Sequence, residues 1–169
     1  SLTINSSSVV KVWFDQSGKF SRQNPSFAIV NDQLENVGDI SVNEEPSAYE
    51  IFTSKIRIRV NKNPMHLQIC DKWQKLIFSD FNEKGHVPSG KSVKSYKNLR
   101  SDEQFFGLGE KTGTLNRRGK NYKMWNSDKP CYSTTEDPIA KSIPFFMSSY
   151  NYGIFLDNTY KTEFKFGTE

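Results

Sequence analysis

Alternation is the clearest pattern in the chain. In Lys55-Ile56-Arg57-Ile58-Arg59-Val60 every second residue is apolar, so an extended backbone puts Ile56, Ile58 and Val60 on one face and three cations on the other. One face should be buried and the other wet. Similar short runs flank it. Val9 to Phe14 reads as a strand ended by the turn residues Asp15 to Gly18, with Lys19 to Arg22 returning antiparallel until Pro25 breaks the run. Ser26 to Val30 is a third short strand, and the acidic, turn-rich stretch Asn31 to Pro46 is a loop. Tyr49 to Phe52, Met65 to Cys70 and Lys75 to Phe78 complete a meander of hairpins. Nowhere do apolar residues recur at i, i+3, i+4 and i+7 through three turns between caps, so helix is a minor component. Many short strands without intervening helices predict an all-β antiparallel sandwich or barrel.

The stretch from Phe105 to Asn158 carries most of the turn signals. It opens with Phe105-Phe106-Gly107-Leu108-Gly109-Glu110, where two glycines bracket one apolar residue and let the backbone turn where a side chain would clash. It closes with Ile143 to Met147 and Tyr152 to Leu156, two apolar runs separated by Ser148 to Asn151, the pattern of a buried hairpin. Arg117 and Arg118 sit on a strand candidate, where one must point inward, paired to Glu110 or Asp128. Between these lies a polar loop, Trp125 to Asp137.

Composition narrows the classes. With 169 residues, 35% apolar and 14% aromatic, the chain is long enough for a core and reads as one domain. Mean hydropathy is −0.68 and the longest apolar run falls far short of the roughly 20 residues of a membrane helix, so no membrane partner is implied. Net charge is +4, but 23 basic and 19 acidic residues are interspersed. A nucleic-acid surface would need a basic face interleaved with aromatics in a binding motif, and none is present. Cys70 and Cys131 lie in unlike surroundings and read as two buried or idle thiols, with a disulfide between them as the alternative. No pair of soft ligands has zinc-site spacing except His66 and Cys70, which strand alternation explains. Trp13 and Trp73 read as core or turn-packing aromatics, and no cofactor is implied.

One stretch matches a well-known pattern. Gly85-His86-Val87-Pro88-Ser89-Gly90-Lys91-Ser92 fits G-x-x-x-x-G-K-[ST], and Ile154 to Asp157 imitates the apolar strand and aspartate that would hold Mg²⁺. A phosphate loop needs backbone N–H groups at the start of a helix fed by a buried parallel strand. Here the upstream strand ends near Phe78, and Val93 to Lys97 carries no helical stripe. The expectation is a Pro/Gly turn between strands, and not an NTPase.

The loop from Trp125 to Asp137 is too long, and too rich in Asn, Asp, Tyr and Trp, for a hairpin turn. Sugars are recognised by carboxylate and amide hydrogen bonds together with apolar ring faces, and Asp128, Asn126, Trp125 and Tyr132 supply both. The plainer alternative is a loop held by its own Asx turns over a buried Trp125.

GLGEKTG with LNRRG, then NYKMWNSDKP, DP, KSIPFF and YGIFLDN, in this order and spacing, resembles the end of the N-terminal domain of family 31 glycoside hydrolases, the α-glucosidases and relatives. The resemblance is specific over Phe105 to Gly167. It implies a galactose-mutarotase-like β-sandwich over residues 1–169, retaining hydrolysis of α-glycosidic bonds in the parent enzyme, and a catalytic (β/α)₈ barrel beyond residue 169. The family's WxDMNE-like catalytic signature does not occur here, so no catalytic residue is assigned to this chain. By the resemblance, the polar loop reaches over the barrel mouth and the aspartate matching Asp128 lines the site for an α-linked oligosaccharide. A free-standing carbohydrate-binding module is the alternative; it would need an exposed aromatic platform on a sheet face.

Overall fold

The computed structural model describes residues 1–20, 26, 28, 29, 38–82 and 84–168. Among them no residue is helical, and fourteen strands form antiparallel sheets. The chain divides into two compact units, Ser1–Asn98 and Leu99–Glu169.

In the first unit, β1 (Leu2–Ser6) pairs with β2 (Val9–Val12). A five-stranded meander follows, built from β3 (Ser41–Glu44), β4 (Ala48–Phe52), β5 (Ile56–Lys62), β6 (Met65–Asp71) and β7 (Leu76–Ser79) in sequence order. The alternation seen in the sequence sets its register. Ile51, Ile58, Ile69 and Phe78 stand opposite one another across β4 to β7, and this row, with Ile56 and Leu67, meets Leu2, Ile4 and Val10 from the β1–β2 hairpin. Cross-strand apolar rows of this kind are the unit of sheet stabilisation. The other face is not the simple wet surface expected. Glu50 is buried there, and its Oε1 accepts hydrogen bonds from Arg57 Nη2 and Arg59 Nη1, each at 2.6 Å.

Three expectations change. Val9–Val12 pairs backward to Leu2–Ser6; of the anticipated return strand, Lys19 and Phe20 are irregular and the remainder lies outside the described residues. The run Leu2-Thr3-Ile4 carries too few apolar positions to announce a strand. Ser26 to Val30 falls partly outside the described residues, and Ser26, Ala28 and Ile29 are not in a strand. Within the stretch read as loop, Ser41–Glu44 is an edge strand with all four residues exposed, so it has no buried face to imprint alternation.

The sequence Gly85 to Ser92 folds as a hairpin of β8 (His86–Ser89) and β9 (Ser92–Ser95) around Gly90, whose φ is 62°. No helix follows to receive a phosphate. Gly85 is instead pressed on the buried Asp80, where a Cβ would stand 2.3 Å from Oδ2. Asp80 is the hub of this region. Its carboxylate accepts from Leu67 N at 3.0 Å and pairs with Lys97, while its carbonyl accepts from Asn98 Nδ2 at 2.8 Å. Burial holds the Lys97 ammonium below its ordinary range, and Asp80 offsets part of that shift.

The second unit comprises β10 (Phe105–Gly109), β11 (Asn121–Met124), β12 (Ser142–Ser148), β13 (Tyr152–Phe155) and β14 (Thr162–Lys165). β12 lies between β10 and β13, and β11 pairs with β14. Its core is aromatic: Phe105, Tyr122, Phe146 and Phe166 gather with Leu108 and Met124. Phe105 stacks on Phe166 at 4.7 Å, and Phe146 meets Phe166 edge-on at 5.1 Å. The two glycines of β10 serve the close approach anticipated for them. At Gly107 φ is 125° and a Cβ would sit 2.6 Å from Phe145 O; at Gly109 it would sit 2.8 Å from Ile143 N. The ladder shifts register between these glycines, with Leu108 fully buried at φ 72°.

The β12–β13 hairpin is buried on one face only. Phe146 and Ser148 point inward, while Ile143 and Met147 are each 53% exposed beside exposed Phe145 and Phe155. Inside, the buried Glu103 carboxylate accepts hydrogen bonds from Ser148 Oγ, Tyr152 Oη (2.7 Å) and Arg100 N (3.1 Å). Burial first, and this carboxylate second, push the Tyr152 hydroxyl well above the phenol range. Arg117 does point inward, but off any strand and toward the carbonyls of Gly107, Thr112 and Thr114 rather than a carboxylate. Arg118 donates to the carbonyls of Arg100 and Glu103.

Candidate functional site

The polar loop occupies residues 125–141, between β11 and β12. A connection of this length with no strand of its own needs a frame, and the frame is a buried lysine. Lys111 follows β10 with its side chain fully enclosed, and Nζ donates to Lys123 O (2.6 Å), Asp137 Oδ1 (2.7 Å) and Ser142 Oγ (3.3 Å). Asp137 returns through Oδ2, which accepts from Lys123 N at 2.6 Å. A buried cation with a carboxylate partner and two further acceptors is satisfied rather than stranded. Thr112 Oγ1 donates to Glu136 O at 2.7 Å and Glu110 N to Lys141 O at 2.9 Å, so the segment after β10 runs beside the returning loop.

Ser142 closes the base from the other side. Its Oγ accepts from Trp125 N at 3.1 Å, and its N–H donates to Asn126 Oδ1 at 2.8 Å. Farther out, a turn from Ser133 to Glu136 and the Lys129–Glu136 ion pair shape the tip. Ile139 is buried beneath.

The four residues singled out from the sequence divide accordingly. Trp125 and Asn126 sit at the base; Asn126 spends its carbonyl oxygen on Ser142 and keeps its NH₂. Trp125 is 50% exposed, not a buried anchor, and Tyr132 is 52% exposed. Asp128 is exposed, and its carboxylate meets no hydrogen-bond donor or cation among the described residues. No hydrogen bond joins one of the four to another. Trp73, expected to pack, is 75% exposed at the β6–β7 turn with Lys72 Nζ 4.5 Å over its ring. Both thiols are free, Cys131 exposed and Cys70 half-buried. Among the described residues no three His, Cys, Asp or Glu converge as a metal site.

Sequence reasoning missed Lys111, Asp137 and Ser142 as the holders of this loop. Their signal was present in GEKTG, DP and KSIPFF, which marked the resemblance without suggesting a role for each residue.

Antiparallel sheets, an all-β chain and a long polar loop on a fixed base define a domain of the galactose-mutarotase-like sandwich class. The glycosyl hydrolase 31 N-terminal galactose mutarotase-like domain model matches residues 1–165, and the chain belongs to this family. Alpha-glucosidase 2 of Bacillus thermoamyloliquefaciens is 34% identical over 164 residues, covering 95% of this chain and 20% of the relative. A family 31 dextranase of Flavobacterium johnsoniae, solved in complexes with isomaltotriose and with glucose, is 63% identical over 98% of this chain and 20% of its own, with a TM-score of 0.92. The family 31 α-xylosidase of Xanthomonas citri, at 23% identity and a TM-score of 0.77, shares the fold. The chain thus spans about one-fifth of the length of the relatives it matches first.

Proposed function

We propose that this domain works within a larger retaining α-glycoside hydrolase on α-linked glucose oligomers, and that its loop lends Asp128 to the sugar site of a (β/α)₈ barrel on the same polypeptide. The observation that carries the reading is an exposed, partner-free carboxylate on a loop whose base is locked by the enclosed Lys111. A carboxylate without a folding role, held on a rigid frame, is suited to accept hydrogen bonds from sugar hydroxyls. Trp125 and Tyr132 offer exposed ring faces, and the Asn126 NH₂ is a further donor. The 63% identity to a dextranase favours α-linked glucose among the substrates of the family. The exposed apolar row Ile143, Phe145, Met147 fits a covering domain such as the barrel.

In this mechanism the bond is cleaved by two carboxylates of the barrel, about 5–5.5 Å apart, through a covalent glycosyl intermediate. The work of this chain is to bind and orient. In the full-length enzyme Asp128→Ala should lower kcat/KM by roughly one to two orders of magnitude, as expected for a charge-assisted hydrogen bond of about 1.5–3 kcal/mol. Unchanged kcat/KM per folded molecule, or loss of several kcal/mol of folding stability in this domain, overturns the assignment.

A further inference from the structure

The polar face of the five-stranded sheet is organised beyond what folding requires. Glu50, Arg59, Gln68 and Ser79 stand opposite one another across β4, β5, β6 and β7, and Asn61 stands opposite His66 on the same face. Two cavities open there. One, of about 640 Å³, is lined by Asn61, His66, Gln68, Phe81 and Lys84 among others. The second, of about 180 Å³, is lined by Glu50, Arg57, Arg59, Gln68 and Gln74 with Cys70. Gln68 belongs to both, and Arg59 Nε donates to Asn61 Oδ1 at 3.3 Å across the division. Adjoining at Gln68, they line up along β5 as a candidate groove.

The chemistry of the lining restricts what can occupy it. Arg57 and Arg59 share Glu50, and Arg59 also reaches Glu45 at 3.1 Å, so two guanidinium groups are balanced by two carboxylates. An anion would compete with Glu50 for the same donors, and a cation would compete with the arginines. The side-chain amides of Gln68 and Gln74 make no hydrogen bond to described residues, leaving each with donors and an acceptor. Gln74 reaches this position from a left-handed backbone, φ 67°, set by the Asp71 turn. At the far end Phe81 is 43% exposed and presents an apolar surface. Unpaired amide donors and acceptors around a guanidinium–carboxylate cluster whose charges are paired, beside a ring and with Lys84 as one further donor at that end, match a polyhydroxylated ligand. The five strand residues from Arg57 to Asn61 span about 13 Å, room for roughly two to three linked pyranose rings.

We infer that this groove is a second oligosaccharide-binding site, built wholly from residues of the first unit and sharing no lining residue with the Asp128 loop. The choice of α-linked glucose as its sugar rests on the substrate reading above; the groove itself does not.

The test titrates the 169-residue chain with isomaltotriose, following side-chain amide resonances by NMR and affinity by calorimetry, with circular dichroism as the folding control. The expected result is saturable binding that shifts the Gln68 and Gln74 amide signals. Gln68→Leu and Phe81→Ala should each weaken it about three- to tenfold, and Asp128→Ala should not change it. Inorganic phosphate at the same concentrations should leave both amide signals in place. Absent shifts at saturation, phosphate binding as tight as isomaltotriose binding, or an affinity lost in Asp128→Ala and kept in Gln68→Leu would each overturn the groove. Groove binding as predicted, with full-length kcat/KM indifferent to Asp128→Ala, leaves the groove standing and removes the loop reading instead.

Discussion

The two units solve the same problem, burying a sheet face, with different materials. In the first the core is aliphatic, and each of Ile51, Ile58 and Ile69 finds its partner through strand register alone. In the second the core is a cluster of rings whose contacts depend on angle as well as position, from the stacked Phe105–Phe166 pair to the edge-on Phe146. Period-two placement is enough for the first. The second also needs a backbone that can be brought unusually close, which Gly107 and Gly109 provide. An alternating core therefore tolerates small changes locally, whereas a ring cluster ties several strands to each side chain.

The largest test of that contrast is Phe105→Ala, which should cost about 3–5 kcal/mol, against about 0.5–1.5 kcal/mol for Ile58→Val in the aliphatic core. Urea unfolding followed by fluorescence and by circular dichroism measures both. Equal losses would mean that the ring cluster contributes less than its buried area alone predicts. Next comes Lys111→Met, which strands Asp137 Oδ1 and the Lys123 carbonyl. We expect a loss of about 2–3 kcal/mol, less than the 3–5 of a fully enclosed pair because Asp137 keeps some contact with solvent. A stability unchanged within 0.5 kcal/mol, taken as the ~0.5 kcal/mol scatter of surface substitutions, would show that the loop base is held by something else. Gly107→Ala should cost about 1–3 kcal/mol, since its φ of 125° and the nearby Phe145 carbonyl both oppose a Cβ.

The smallest effect is a pH dependence in the first unit. Hydrogen bonds from Arg57 first and Arg59 second hold the Glu50 carboxyl below its ordinary 4.5. A depressed carboxylate contributes stability that is complete above the unfolded value and is lost as pH falls through the lower folded one. Glu50→Gln should therefore flatten the acid side of the urea-midpoint profile below 4.5. Parallel acid profiles for the two proteins would show that the pair couples to nothing in folding.

Legibility in the sequence followed the same division. Strands with one buried face wrote themselves into the alternation: β4 to β7 lie within a residue or two of where Tyr49 to Phe78 predicts them. Ser41–Glu44 wrote nothing, because an edge strand exposed on both faces imposes no pattern. The buried hairpin expected at Ile143 to Leu156 was half right, since apolar composition records affinity for a partner surface and does not say whether that surface lies inside this chain. At the loop, the exposed tip was readable from composition and length. Its base was not, because a lysine in a polar run gives no sign that it will be enclosed; only the fold brings Lys111, Asp137 and Ser142 together. Arg117 failed for a related reason, turning to three carbonyls where charge counting had suggested a carboxylate.

Because Lys111 and Ser142 grip the loop by its base, its outer residues carry almost no duty toward folding. Positions 128 and 132 can therefore be exchanged at little risk to the scaffold. A laboratory library restricted to those positions would probe the proposed sugar contact while leaving expression and solubility nearly constant.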